Sequence, residues 1–191
     1  MRKSKAEAAQ TRKRIVEVAA EEFRRKGIAG AGLVDLMATA GLTAGGFYRH
    51  FESKDALVAE ALREACQTTA ERLSAGDGKN DPAADLAQAL GLYLSTRHRD
   101  NADTGCPLVA LGSELARSDL AVRQAATEGF FALVDLVAAG ERSEAPEPAA
   151  RTKAMVAVAT MIGALTMSRI LTDPDASKAL IDGARAQILQ G

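Results

Sequence analysis

The sequence predicts an all-α fold of about nine helices, and three observations predict it. Ala, Leu and Val dominate a chain that is 47% hydrophobic yet only 4% aromatic and free of Trp, a balance that favours helix over sheet. Apolar residues recur at helical period between breaks marked by Gly, Pro and Ser. No stretch alternates with the period of two that a half-buried strand needs. At 191 residues the chain is long enough to bury a core without disulfides or metal.

The first helix is predicted over 7–26, where Ile15, Ala19 and Phe23 fall at i, i+4 and i+8 with charges on the other faces. The Gly27–Gly32 stretch ends it. A second helix is predicted over 33–40, stopped by Gly41, and a third of about seven residues follows Thr43. Ser53 is suited to cap a fourth running to about Leu73, with Asp55 as the first-turn charge. Further helices fit 82–99, 106–117, 119–140, 147–172 and 175–189, separated by polar, Gly- or Pro-marked breaks.

Leu33 to Leu57 is the most informative stretch. Gly41 sits where the second helix must stop and the chain reverse, a place suited to a left-handed residue. Leu42 can plug the gap between the helices, and Thr43 can cap the next one through its hydroxyl. Helix, short Gly-containing turn, helix is the order of a helix-turn-helix. At about 100° per residue, Phe47, Phe51 and Ala44 share the inward side of the third helix. Gly45, Gly46 and Arg49 lie opposite, flanked by Tyr48 and His50. Two adjacent glycines cost a short helix roughly 1 kcal/mol each relative to Ala. Either they let a neighbouring helix pack closely, or they let the backbone approach a ligand or DNA.

The run GGFYRHFESKDAL, preceded by AGLT, resembles the DNA-binding signature of the TetR family of bacterial regulators. Phe47, Tyr48, His50, Phe51, Ser53, Lys54 and Leu57 stand at the family's spacing, and with TRKRIVEVAAEEFRRKG the resemblance covers residues 11–57. It implies a three-helix helix-turn-helix DNA-binding domain over 1–56 and a helical effector-sensing and dimerisation domain over 57–191. The implied protein is a cytoplasmic homodimeric repressor. It binds double-stranded operator DNA and is released by a small-molecule or electrophile effector or by cysteine modification. Carried onto this chain, the resemblance places the helix containing Ala44, Gly45 and Gly46 in the major groove, with Thr43, Tyr48, His50 and Lys54 on phosphates. Such contacts set register and salt-dependent affinity, while base edges discriminate sequence. Arg49 is the outward side chain able to grip a guanine edge, or else another phosphate. Where the family's second helix usually opens with a hydroxyl residue, Ala31-Gly32-Leu33 has none, leaving backbone amides for that contact. Arg2, Lys3 and Lys5 form either a groove-reaching arm or a solvated tail.

The last two long helices carry apolar stripes: Val156, Ala159, Ile162 (or Gly163) and Ile170 on one, Leu180, Ile181, Ile188 and Leu189 on the other. The resemblance implies that they pair across a two-fold axis as a four-helix bundle; the alternative is that they line the chain's own core. A second segment, GCPLVALGSELARSDLAVRQA, with the GAGLVDL opening of the second helix, is similar to the electrophile- and oxidant-responsive NemR-like subgroup. Cys106 stands at the start of a helix before Pro107, where free amides and the helix dipole favour thiolate and make it a candidate redox sensor. A small buried residue is the other reading of a free cysteine, and Cys66 reads as structural or pocket-lining. A ligand pocket enclosed by residues 58–172 would draw on Cys66, Tyr93, Leu108, Phe130 and Met161, with Phe131 and Met167. The scarcity of charge in the apolar stripes favours a hydrophobic or aromatic effector.

Charge is segregated: residues 1–56 carry a net +4 and residues 57–191 a net −5, within the chain total of −1. A basic head on an acidic body suggests a polyanion at one end. Cysteines 40 positions apart fit a reducing compartment, the N-terminus lacks an export-type apolar run, and the apolar run Ala154 to Ser168 reads as too short to span a bilayer. The two histidines, His50 and His98, fall in no metal-ligand spacing, and no nucleophile elbow or phosphate loop is present, so neither enzyme activity nor a cofactor is expected. The one enzymatic candidate is a Cys106–His98 pair. A helical interaction module without DNA binding is the other rival, opposed by the Tyr48, His50 and Lys54 set.

Overall fold

The computed structural model describes residues 5–75, 81–140 and 147–190, which contain nine α-helices, one 3₁₀ helix and no strand. Arg2 and Lys3 of the basic N-terminal cluster lie outside the described residues. Helix α1 (Lys5–Gly30) buries Ile15, Ala19 and Phe23 as its period predicts. Gly27 breaks its helical geometry at φ 78°, a conformation glycine adopts without the Cβ penalty. Helix α2 (Leu33–Thr39) buries Leu36 and Met37. It ends at Gly41, φ 71°, where the Gly41 amide donates to Ala38 O and the Leu42 amide to Met37 O, each at 2.9 Å. This is the Schellman pattern, and it turns half-buried Leu42 back onto the core.

The third helix is a correction. Ala44–Arg49 is a 3₁₀ helix, closed by i→i+3 bonds from Gly46 N to Thr43 O and from His50 N to Phe47 O. Two glycines weaken an α-helix, and six residues leave little for α-type bonds to gain; 3₁₀ turns are used in such short pieces. At 120° per residue the rows are Ala44/Phe47, Gly45/Tyr48 and Gly46/Arg49. Phe47 is buried, but Ala44, at the first position, is exposed rather than inward. Thr43 occupies the cap position, yet its hydroxyl makes no cap bond; its carbonyl does that work.

Helix α3 (Lys54–Ser74) starts as predicted, with Ser53 Oγ accepting from the Ala56 amide at 3.0 Å and Asp55 in the first turn. It is the long spine that packs on α1 at its start and on α7 beyond. The single helix predicted over 82–99 is two: α4 (Pro82–Tyr93) and α5 (Thr96–Asp100). Ser95 restarts the chain by accepting the His98 amide at 3.1 Å, while His98 Nδ1 takes the Tyr93 carbonyl at 2.8 Å. Helix α6 (Pro107–Leu115) opens on Cys106 and Pro107 as expected. Helix α7 (Leu120–Gly140) is capped by Asp119 on the Val122 amide.

Helices α8 (Glu147–Ile170) and α9 (Pro174–Gln190) close the chain, with Asp173 accepting the first amides of α9. Because α8 begins before Ala154, Pro148–Ile170 spans 23 residues and, by length and composition alone, is long and apolar enough to cross a membrane. In this fold α8 packs instead on α6, α7 and α9. The two apolar stripes also divide. Ile181 is buried and Leu180 and Ile188 half-buried, so part of the α9 stripe belongs to the chain's own core. Val156, Ile170 and Leu189 remain exposed, beside exposed Ala159 and Gly163.

Candidate nucleic-acid interface and effector cavity

The 3₁₀ helix is held from beneath by aromatic packing and from the side by one arginine. Phe47 stacks on Phe51 at 5.6 Å and meets the Tyr48 ring edge-on at 5.1 Å. Arg12 of α1 bonds the Glu60 carboxylate of α3, donates to the His50 carbonyl, and lies 4.2 Å over the Phe51 ring. One guanidinium thus ties α1, the end of the 3₁₀ helix and α3 together. The outward surface is Thr43, Ala44, Gly45, Tyr48 and Arg49, all exposed, with His50 and Gly46 half-buried at its edges. Tyr48 is 74% exposed.

Neither glycine is required by packing within the chain. A Cβ at Gly45 would meet nothing within 4 Å, and one at Gly46 would only touch Met37 Cε at 3.8 Å. Neither has a positive φ. Lys54 is placed differently from the rest: its Nζ donates to Ile28 O at 2.5 Å and lies 6.0 Å over the Phe23 ring, clamping the start of α3 to the turn after Gly27. The other side of that turn is held by Glu114 of α6, which accepts the Ala29 amide at 3.0 Å and fills the space a Gly27 side chain would need.

In the body, four of the residues predicted to line a pocket, Cys66, Tyr93, Leu108 and Met161, are buried in the core, and Phe130 is half-buried beside Phe131. Met167 is exposed. Cys66 sits in the notch left by Gly129, where a Cβ would stand 2.3 Å from its Sγ. The cavity lies to one side, about 500 Å³, between α3 (Thr69, Arg72, Leu73), the end of α4 (Leu92, Tyr93) and the 95–105 segment. Tyr93 alone is shared with the expected lining. Arg72, Arg97 and His98 line it, so its wall is more polar than the apolar stripes suggest.

The 95–105 segment is pinned through its backbone by arginines from three directions. Arg24 of α1 donates to Asp103 O, Arg72 of α3 to Thr104 O at 2.6 Å, and Arg169 of α8 to His98 O and Arg99 O at 2.9 and 3.0 Å. Arg99 in turn reaches Ser177 of α9 at 2.9 Å. Inside the segment His98 commits both ring nitrogens to backbone, Nδ1 to Tyr93 O and Nε2 to the Cys106 amide at 2.9 Å. Burial holds its pKa down to about 4, so it is neutral at physiological pH. A ring bonded this way cannot serve the Cys106 thiol as a base, which removes the nucleophile pair. Cys106 itself is fully buried, and burial pushes its thiol up. The amides of Leu108 and Val109 pull the other way, as a helix start should, but desolvation outweighs them. Of the two sequence readings of Cys106, its burial supports the small buried residue over the low-pKa thiolate.

Residues 15–61 match the family of bacterial regulatory proteins of the tetR type. Residues 82–180, more than half of the chain, match the C-terminal domain of LmrA/YxaF-like transcriptional regulators. The chain belongs to the TetR family. Its relatives include the HTH-type transcriptional regulator TtgR of Pseudomonas putida, 36% identical over 94 residues that make up 49% of this chain and 44% of TtgR. The probable acrEF/envCD operon repressor of Escherichia coli K12 is 36% identical over 95 residues, 47% of this chain and 41% of that protein. The chain thus spans less than half the length of the curated relatives it matches. Likeness over the whole chain comes from solved structures. A TetR regulator from Chloroflexus aurantiacus superposes with TM-score 0.76 at 26% identity, covering 97% of this chain and 95% of that one. Reduced NemR of E. coli gives 0.75 at 22%, covering 94% and 95%, a likeness of fold alone.

Within this TetR-family chain, sequence reading missed the residues that act through backbone. Arg12, Arg24, Arg72 and Arg169 reach carbonyls, and no spacing rule marks an arginine that will bond a distant main-chain oxygen. Glu114 lies in the second resembling segment, and its contact with the Gly27 turn gives it a physical role.

Proposed function

We propose that this TetR-family chain is a cytoplasmic transcriptional repressor that binds operator DNA as a homodimer and lets go when a small molecule fills the cavity beside α5. The two 3₁₀ helices enter successive major grooves roughly 34–36 Å apart. Thr43, Tyr48 and His50 hold phosphates, Arg49 reads a base edge or a further phosphate, and Lys54 reaches the backbone by exchanging the Ile28 carbonyl for a phosphate oxygen. The observation that carries this reading is the exposed surface of Gly45, Tyr48 and Arg49, with glycines that nothing inside the chain needs to be small. Release follows from the pinning of the 95–105 segment: whatever shifts it pulls on Arg24 and Arg72, and so on the helices that carry the DNA-binding head. A ligand is favoured over cysteine modification because Cys106 is buried as a protonated thiol.

Gly45→Ala tests the interface directly. Alanine improves the local helix by up to about 1 kcal/mol, so thermal unfolding should hold or rise, while a methyl at the DNA-facing backbone should weaken binding to a duplex carrying the operator. A stable variant with unchanged DNA affinity would contradict the reading.

A further inference from the structure

The cavity beside α5 has a charge that the rest of the body does not share. Residues 57–191 carry a net −5, yet among the described residues the side chains lining this cavity include Arg72 and Arg97 and no carboxylate. Arg97 makes no side-chain bond among the described residues. Arg72 has no ion pair there either; its guanidinium reaches only the Thr104 carbonyl. Asp100 pairs with Arg99 and Glu71 accepts from Gln67, and the Asp103 carboxylate acts on Arg24. Two guanidiniums lining one cavity suit an anion, whose carboxylate matches the guanidinium fork. Leu73, Leu92 and Tyr93 add apolar lining, and about 500 Å³ suits a small organic molecule.

Resting on the ligand-release reading above, we infer that the effector is an organic anion with an apolar body, its carboxylate held by Arg72 and Arg97. Binding then competes with the Thr104 carbonyl for Arg72. The carboxylate takes the donor that now fixes the 101–105 loop to α3, so occupancy of the cavity and loosening of that loop are one event. His98 adds no charge, because it stays neutral with both nitrogens bonded to backbone.

The test is calorimetric titration of the full chain, without DNA, with benzoate, 2-naphthoate and octanoate, each beside its neutral amide. At least one acid should bind about tenfold more tightly than its amide. Arg97→Met, which breaks no internal bond, and Arg72→Met should each narrow that gap, while Arg117→Met, away from the cavity, should leave it. Equal binding of acids and amides, no binding of any acid, or a gap that survives both cavity substitutions overturns the assignment. Operator release is measured separately: an acid that binds through Arg97 yet leaves DNA binding intact contradicts the release mechanism, not the anion site.

Discussion

His98 shows how one buried side chain can organise a segment and make stability depend on pH. Its imidazole bridges Tyr93 O and the Cys106 amide only while neutral, and burial lowers its pKa from 6.5 to about 4. Above 6.5 neither state is charged and the contribution is complete. Below it the unfolded chain takes a proton that the folded chain refuses, so stability falls as pH falls toward 4. Between neutral pH and pH 5 the loss is about 2 kcal/mol. Urea unfolding at both pH values should show wild type losing that much more than His98→Gln; equal losses would show that the ring is not held neutral. None of this was legible in the sequence, where His98 stood among Arg97, Arg99 and Asp100 as an exposed-looking helix end. Its partners are backbone atoms brought close by a chain reversal, and side-chain pattern does not record them. The outward residues of the 3₁₀ helix were legible for the opposite reason: they are contiguous, and which of them face out follows largely from the helical period. Ala44 departs from that reading, exposed at the first position of the 3₁₀ helix although it shares a row with buried Phe47.

At the scale of elements, the helix periods gave boundaries within a few residues, and the failures have local causes. The break at Ser95 divides what reads as one helix because a serine in mid-pattern can cap a new start as readily as sit on a solvated face. The contact between α3 and α7 depends on a residue with no side chain. A Cβ on Gly129 would stand 2.8 Å from Cys66 Cβ as well as 2.3 Å from its Sγ, so rotating the thiol away does not make room. Gly129→Ala should separate the helices and cost about 1–3 kcal/mol, with Cys66→Gly in the same chain restoring much of it. Denaturant unfolding of the two variants checks this; an unperturbed Gly129→Ala would mean the helices are looser than they stand here. Cys66 in this notch is a packing residue, the structural one of its two sequence readings.

At the scale of the whole molecule, the apolar surface left on α8 and α9 is the feature a single chain does not explain. Val156 and Ile170 are 61% and 63% exposed, and a methyl added at Gly163 or Gly183 would meet nothing within 4 Å. A second copy laid across these helices would cover the apolar residues and use the small ones for close approach. Val156→Glu with Ile170→Glu should therefore yield monomers by analytical ultracentrifugation and weaken DNA binding, since one short recognition element holds a half-site poorly. Unchanged mass would place the dimer seam elsewhere. Both the seam and the DNA-facing row bear on one claim, that two heads read one symmetric site. The most direct measurement is selection of bound duplexes from a random DNA library by the full chain, repeated over a range of salt. The account predicts enrichment of an inverted repeat whose halves lie about one helical turn apart, with affinity that falls steeply as salt rises. Recovery of no motif, or of a single unrepeated half-site bound equally well at all salt concentrations, would contradict it.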